Sequence, residues 1–255
     1  MKGTNFMIED TLSYIGDRIE EIDRYVEDLK QIEGVSFHNN QEIEESFKDL
    51  TNVFYEYLTR EDVKAIEDYM MLGFKSINSI LRGVWDYNKN GVLSEDIKSD
   101  AYKRSDLLHH VLVKAPTIPF PMKVYRGVDI SAFYSYGLTS LEDLKYLQDK
   151  YFLELGFCSS SLLRDSSFFA KNPEWGSKPN IEIEILIPDG CDDGVLVSDF
   201  LNHEQQEFLI QDSSLFKVTD VEIEKDKAYL KMTLIPQKIW NFLDYEQEKR
   251  EIKGR

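Results

Sequence analysis

Cysteine is scarce in this 255-residue chain: Cys158 and Cys191 are the two present, neither in a CxxC spacing. That argues against a disulfide scaffold or a thiolate zinc site and fits a reducing compartment. Histidine is nearly as rare, with His38, His109, His110 and His203 at no metal-ligand spacing. No metal is expected, and His109 and His110, side by side, read as surface or cap residues on different faces of a helix. No apolar run is long enough to span a bilayer, and the start MKGTNFMIEDTLSYIGD lacks the apolar core of a signal peptide. The expectation is a chain that is cytoplasmic where it is made, with no membrane partner. Positive charge is in deficit, 30 Lys and Arg against 47 Asp and Glu, for a net charge of −17. A general phosphate-binding surface is therefore not expected, and nucleic acid would need a local basic patch. GxGxxG after a strand, GxxxxGK[ST], HExxH and GxSxG are all missing, so neither a dinucleotide fold nor a P-loop is supported.

What the chain does have is apolar and aromatic material, 42% hydrophobic residues with fifteen Phe, fourteen Tyr and three Trp, enough for a sizeable core. In EDTLSYIGDRIEEIDRYVEDLKQIE (9–33), Ile15, Ile19, Ile22, Val26 and Leu29 alternate at spacings of four and three, one apolar helical stripe with an acidic opposite face. Such a helix either caps its own domain or offers an acidic surface to a partner. NQEIEESFKDLTNVFYEYL predicts a second helix, and REDVKAIEDYMMLGFKSINSILRG a third and fourth separated by a turn near Leu72-Gly73.

Near residue 116 the texture changes: APTIPFPMKVYRGVDI brings three prolines and then a β-rich run. The strand candidates are KVYRGV, ELGFCSSSL, NIEIEILIP, GVLVSDF, QEFLIQ, FKVTDVEIE and AYLKMTLIP, the last two joined through EKDKA. Helices first and mostly antiparallel strands second predict an α+β fold. DYNKNGVLSEDI (86–97) copies part of a calcium loop, but its twelfth position is Ile97 and Asp96 falls one short, so a polar loop is the expectation.

Three segments of the sheet half carry chemistry. VYRGV places Arg126 behind an aromatic at a strand end, and GFCSSSL gives consecutive hydroxyls at Ser159, Ser160 and Ser161. SDFLNHEQQEFLI sets Glu204, Gln205 and Glu207 directly before the apolar Phe208-Leu209-Ile210. A carboxylate there is costly to desolvate, so either the strand is an exposed edge or the carboxylate is held for work. If the strand reaches back through residue 205, Gln205 and Glu207 share one face.

In this order the segments resemble the Arg–Ser-x-Ser–(Glu/Gln)-x-Glu pattern of bacterial and phage mono-ADP-ribosyltransferases. YMMLGFKSINSILRG adds a fourth match, resembling the helix ahead of the sheet in toxin-like members, with Tyr69, Phe74, Asn78 and Leu81-Arg82 at the matching places. The likeness runs from about residue 60 to 236. It implies an N-terminal helical portion followed by a mixed, mostly antiparallel core of two sheets. The division would be an acidic helical region 1–60 packed on the core, a catalytic domain 61–240 and a charged tail 241–255. It further implies an NAD-dependent glycosyl transfer, with NAD as substrate, no metal, and a protein acceptor in a target or host cell. NAD hydrolysis would accompany it.

The resemblance assigns Glu207 to the ribose that turns cationic as nicotinamide leaves, Ser159 to orient it, and Arg126 to the phosphates. Gln205 would meet the acceptor. Arg82, Asn78 and Ser161 would assist with the nucleotide, while Tyr69, Phe74 and Phe168 or Phe169 border its pocket; Lys171 falls near where the family's loop often carries an arginine, which gives it only weak support for a phosphate role. Gln205 in place of Glu argues against an arginine acceptor, unless a bulge brings Glu204 into the pocket. The run EQQEFLIQDSSLFKVTDVEIE is also similar to the closing segment of small phage enzymes that modify host proteins. Two other readings stay open: ADP-ribosylation of a nucleobase, and an idle interaction module.

Overall fold

A computed structural model describes residues 15–85, 93–166, 179–197 and 206–241. Helix α1 (Ile19–Leu29) realises the first apolar stripe, and its Ile22 and Val26, with Ile15, pack against Leu215, Ile235 and Trp240 of the same chain. Helix α2 (Asn40–Glu56) starts at Asn39, whose side chain accepts from the Glu42 amide. Helix α3 (Arg60–Asp68) is held by a capping box between Thr59 and Asp62, each satisfying a backbone donor of the other.

The turn expected near Leu72-Gly73 is not there. A π-helical segment, Tyr69–Gly73, runs without a break into helix α4 (Phe74–Leu81). A Cβ on Gly73 would come within 2.6 Å of the Asp68 carbonyl oxygen, so glycine is what this wide turn tolerates. Helix α5 (Glu95–Leu112) was not anticipated from the calcium-like stretch. Ser94 is its N-cap, with Glu95 and Asp96 in the first turn, where acids favour a helix start. The remaining positions of that loop, 86–92, lie outside the described residues.

Eight strands follow: β1 (Met122–Val128), β2 (Tyr151–Glu154), β3 (Cys158–Ser161), β4 (Ile181–Ile187), β5 (Gly194–Leu196), β6 (Glu207–Ile210), β7 (Ser214–Glu224) and β8 (Lys227–Ile235). The run ELGFCSSSL, read as one strand, is divided between the end of β2 and β3. All eight belong to one hydrogen-bonded sheet in the order β2-β7-β8-β4-β1-β3-β6-β5, which corrects the expectation of two sheets. Pairing is antiparallel except between β4 and β8.

The reason two sheets were expected is still visible in the register. β1 pairs with β4 along seven residues but with β3 only through Tyr125 and Ser161. β2 and β3 sit five places apart in the sheet, roughly 24 Å if flat at about 4.8 Å per strand. Three intervening residues allow about 14 Å between their ends. The sheet must therefore fold back on itself at the narrow β1–β3 join. The main core fills the fold: Phe152, Phe216 and Ile185 from the large half cluster with Cys158, Phe208 and Ile210 from the small half. On the outer face of the small half, Phe157, Val195 and Leu209 pack against Ile66, Tyr69, Ile77, Leu108 and Leu112 of the helices.

Candidate active site

The join between the halves is where the chemistry-bearing residues meet. Ser161 of β3 lies opposite Tyr125 of β1 on one side and Glu207 of β6 on the other. Glu207 opens its strand and is only half-buried, and the Ser159 hydroxyl donates to its Oε1 through a short hydrogen bond. The serine fixes the carboxylate's direction without neutralising it, because a hydroxyl carries no charge.

Arg126 turns inward from β1. Burial pushes the Cys158 thiol up, and the guanidinium of Arg126, which touches it, opposes that shift. The Nη1 of Arg126 is buried and, among the described residues, has no hydrogen-bond partner. A buried guanidinium nitrogen without an acceptor is costly, and an anionic ligand oxygen would satisfy it. Arg126 and Glu154 both line a largely apolar pocket with Phe133, Phe152, Cys158 and Ile183.

Helix α4 and the π segment supply the wall behind β3. Tyr69 is 1% exposed, and burial pushes its hydroxyl well above the usual phenol range, while Arg126 pulls the other way. Its neutral hydroxyl donates to the Phe157 carbonyl at 3.4 Å and accepts from Asn78 Nδ2 at 3.1 Å. Asn78 holds both backbone groups of Phe157: Oδ1 accepts from the amide at 2.9 Å and Nδ2 donates to the carbonyl at 3.1 Å. Arg82 forks onto Glu154 at 2.8 and 2.9 Å, and Glu154 Oε1 also accepts from the Gly156 amide at 2.8 Å. Burial disfavours the charge on Arg82, yet Glu154 more than restores it and holds the guanidinium above its usual value.

Of the residues expected to bind nucleotide, the structure thus turns Asn78 and Arg82 toward the β2–β3 turn, and Tyr69 into the core. Phe74 is half-buried, edge-on to Tyr69 with ring centroids 6.4 Å apart. Ser161 is occupied with the next turn, donating to the Leu163 carbonyl at 2.8 Å and accepting from its amide at 3.1 Å. Glu204, Gln205, Phe168, Phe169 and Lys171 lie outside the described residues. The alternation used to place Gln205 beside Glu207 does not carry back past the strand, because β6 begins at Glu207 and Gln206 has a left-handed φ of 47°. Glu154, Gly156 and Phe157 were not singled out from the sequence. The acid-x-Gly-Phe run just before the serines was the available signal. His109, expected at the surface, is part-buried and meets Asp212 at 2.7 Å, whereas His110 stays exposed.

Among the described residues no three His, Cys, Asp or Glu side chains gather so as to hold a metal ion. Nor is any described helix long and apolar enough to cross a membrane.

A folded-back mixed sheet with a serine-anchored glutamate and an inward arginine at its join defines the class of NAD-dependent ADP-ribosyltransferases. The family model for "ADP-ribosyltransferase exoenzyme" matches residues 15–238, and the chain belongs to that family. Among solved structures it is similar to C3stau2 from S. aureus, solved with NAD, at 20% identity and a TM-score of 0.59, covering 80% of this chain and 100% of that one. It is also similar to Plx2a, an ADP-ribosyltransferase toxin from Paenibacillus larvae (20%, TM-score 0.59, 79% and 99% covered). A third is Vis from Vibrio splendidus, solved with agmatine (18%, TM-score 0.53, 79% and 88% covered). No curated protein sequence matches.

Proposed function

We propose that this enzyme transfers ADP-ribose from NAD to a side chain of a protein in another cell, as an effector or toxin or as a phage enzyme acting on its host. The bond broken joins nicotinamide to ribose, and positive charge develops on the sugar as the base departs. Glu207, aimed by Ser159, stabilises that charge, and Arg126 grips the phosphates with its Nη1. The observation that carries the reading is the Ser159–Glu207 hydrogen bond, together with an Arg126 whose buried Nη1 has no acceptor among the described residues. Gln205 meets the acceptor, and Phe169 closes the nicotinamide side.

Vis was solved with agmatine, a guanidine compound. Gln205 in this chain has no carboxylate to bind and activate a guanidinium, which favours an acceptor other than arginine. A net charge of −17 weighs against a nucleobase acceptor. The acidic N-terminal face gains no partner from the fold, since its apolar stripe is spent on the chain's own sheet.

The test is incubation with labelled NAD and target-cell lysate, followed by mass spectrometry of the labelled product. A labelled protein is expected; labelled nucleic acid would replace this reading with the nucleobase one. Glu207→Gln should lower transfer by about a hundredfold or more while NAD still binds. Undiminished transfer in that variant rejects the assignment.

A further inference from the structure

We infer that the protein has a second small-molecule site, between α1 and the outer face of the large half of the sheet, which takes an organic anion with an apolar body. A cavity of about 370 Å³ opens there, walled by the end of α1, the chain that follows it, and strands β1, β4, β7 and β8. Small-molecule sites span about 300–1,000 Å³, so the volume is sufficient. Lys123, in its wall, and Arg126 are three apart on β1 and so point to opposite faces of the sheet. The cavity therefore lies behind β1 as seen from the catalytic join.

The chain builds this space by touching down twice. Ile22 and Val26 seat α1 on Leu215 and Ile235. The chain reaches the sheet again at Val35, whose amide donates to the Pro121 carbonyl at 2.9 Å and whose carbonyl accepts from the Lys123 amide at 2.9 Å. Gly34 lies so close that a Cβ there would stand 2.7 Å from Leu186 Cδ1. Between the two anchors the chain arches over the sheet, with Val26, Leu29 and Ile32 as an apolar roof. The floor is a row in register across three strands, Lys123, Leu186 and Thr233, with Glu184 opposite Lys231 in the next row. Thr219, the extra residue of a bulge between Val218 and Asp220, closes the β7 side.

The lining sets the sign of the ligand. Lys30, Lys123 and Lys231 face Glu33 and Glu184, a positive surplus within a chain of net charge −17. Glu184 is drawn to Lys123 at 3.4 Å. The acids paired with Lys30 and Lys231 are Glu27 and Asp220, which stand outside the cavity wall in exposed ion pairs. Exposed pairs of this kind are worth little, so both ammonium groups can turn to an anion inside. Ile32 and Leu186 are only half-buried, and an apolar body between them would remove both from water.

The test is a fluorescence titration of the full chain with anilinonaphthalene sulfonate, an aromatic anion, with NAD kept saturating and near-ultraviolet circular dichroism confirming the native fold. A single bound probe per chain is expected. Phenylnaphthylamine, the same rings without the sulfonate, should bind about tenfold or more weaker. Replacing two exposed lysines together, Lys30→Gln with Lys231→Gln, should weaken the sulfonate about tenfold. Gln31→Trp, at an exposed position of the rim, should exclude the probe. Absence of binding under saturating NAD overturns the inference, and so does equal affinity for the two probes, which would leave the cavity merely apolar. Unchanged sulfonate affinity in the lysine variant overturns it as well, and that variant decides the matter should Gln31→Trp not fold.

Discussion

Arg126 stood out in the sequence through the order of the segments it opens rather than by its own position. The fold leaves its buried Nη1 without a partner among the described residues, as the proposed grip on a diphosphate requires of a forked cation. Glu207 stood out as a carboxylate beside an apolar strand where no core needs it. Asn78 and Arg82 stood out as a pair, but not for the groups they hold within the fold. Their spacing on the helix was visible, but the groups they hold, a backbone amide and carbonyl at residue 157 and the Glu154 carboxylate, are ones no pattern of side chains displays. At this scale the expectation concerns the fork. Arg126→Lys keeps the charge and loses the planar pair of donors, so the Kd for NAD should rise about tenfold with little change in melting temperature. Titration calorimetry measures it, and an unchanged Kd would place the phosphates elsewhere.

At the level of elements, the helices follow from stripes and caps, but the π segment does not. In an uninterrupted α-helix at 3.6 residues per turn, positions nine apart lie on opposite sides. Tyr69 and Asn78 are nine apart and yet bonded, because the wider turn over Tyr69–Gly73 absorbs about one residue of rotation. Glycine in a helical run looks like a break; here it makes room for a bulge. Gly73→Ala should cost about 1–3 kcal/mol by denaturant unfolding, because its Cβ would stand 2.6 Å from the Asp68 carbonyl oxygen and force the backbone to shift.

A second element-scale expectation concerns the start of α3. Burial raises the Asp62 carboxyl, but hydrogen bonds from Lys114 and from the Thr59 amide and hydroxyl outweigh that and hold it below its ordinary value of 3.8. Lys114 approaches to 2.7 Å and ties α3 to the end of α5. A depressed folded value means that the stabilisation is fully present above 3.8 and is lost as pH falls through the lower folded value. Asp62→Asn should therefore melt lower than the parent at neutral pH, and the gap should close on acidification below pH 3.8. A gap that stays constant into strong acid would deny the ion pair its part.

For the molecule as a whole, helices before strands gave the α+β class, and β-branched runs gave most strands. The folded-back sheet was not legible, since it follows from which strands pair and where a ladder stops, and both are set by tertiary packing. Three residues between β2 and β3 were the clue in retrospect: consecutive strands so tightly linked, yet five places apart, leave the sheet no way to stay flat.

The narrow contact between Tyr125 and Ser161 carries a last consequence. Strands on its two sides share side-chain packing but hardly any ladder, so each half can open without tearing the other's hydrogen bonds. Under native conditions, deuterium should enter the amides of β3, β5 and β6 in one kinetic group and those of β4, β7 and β8 in another, slower one. If NAD binds across that seam as proposed, saturating it should slow the first group toward the second.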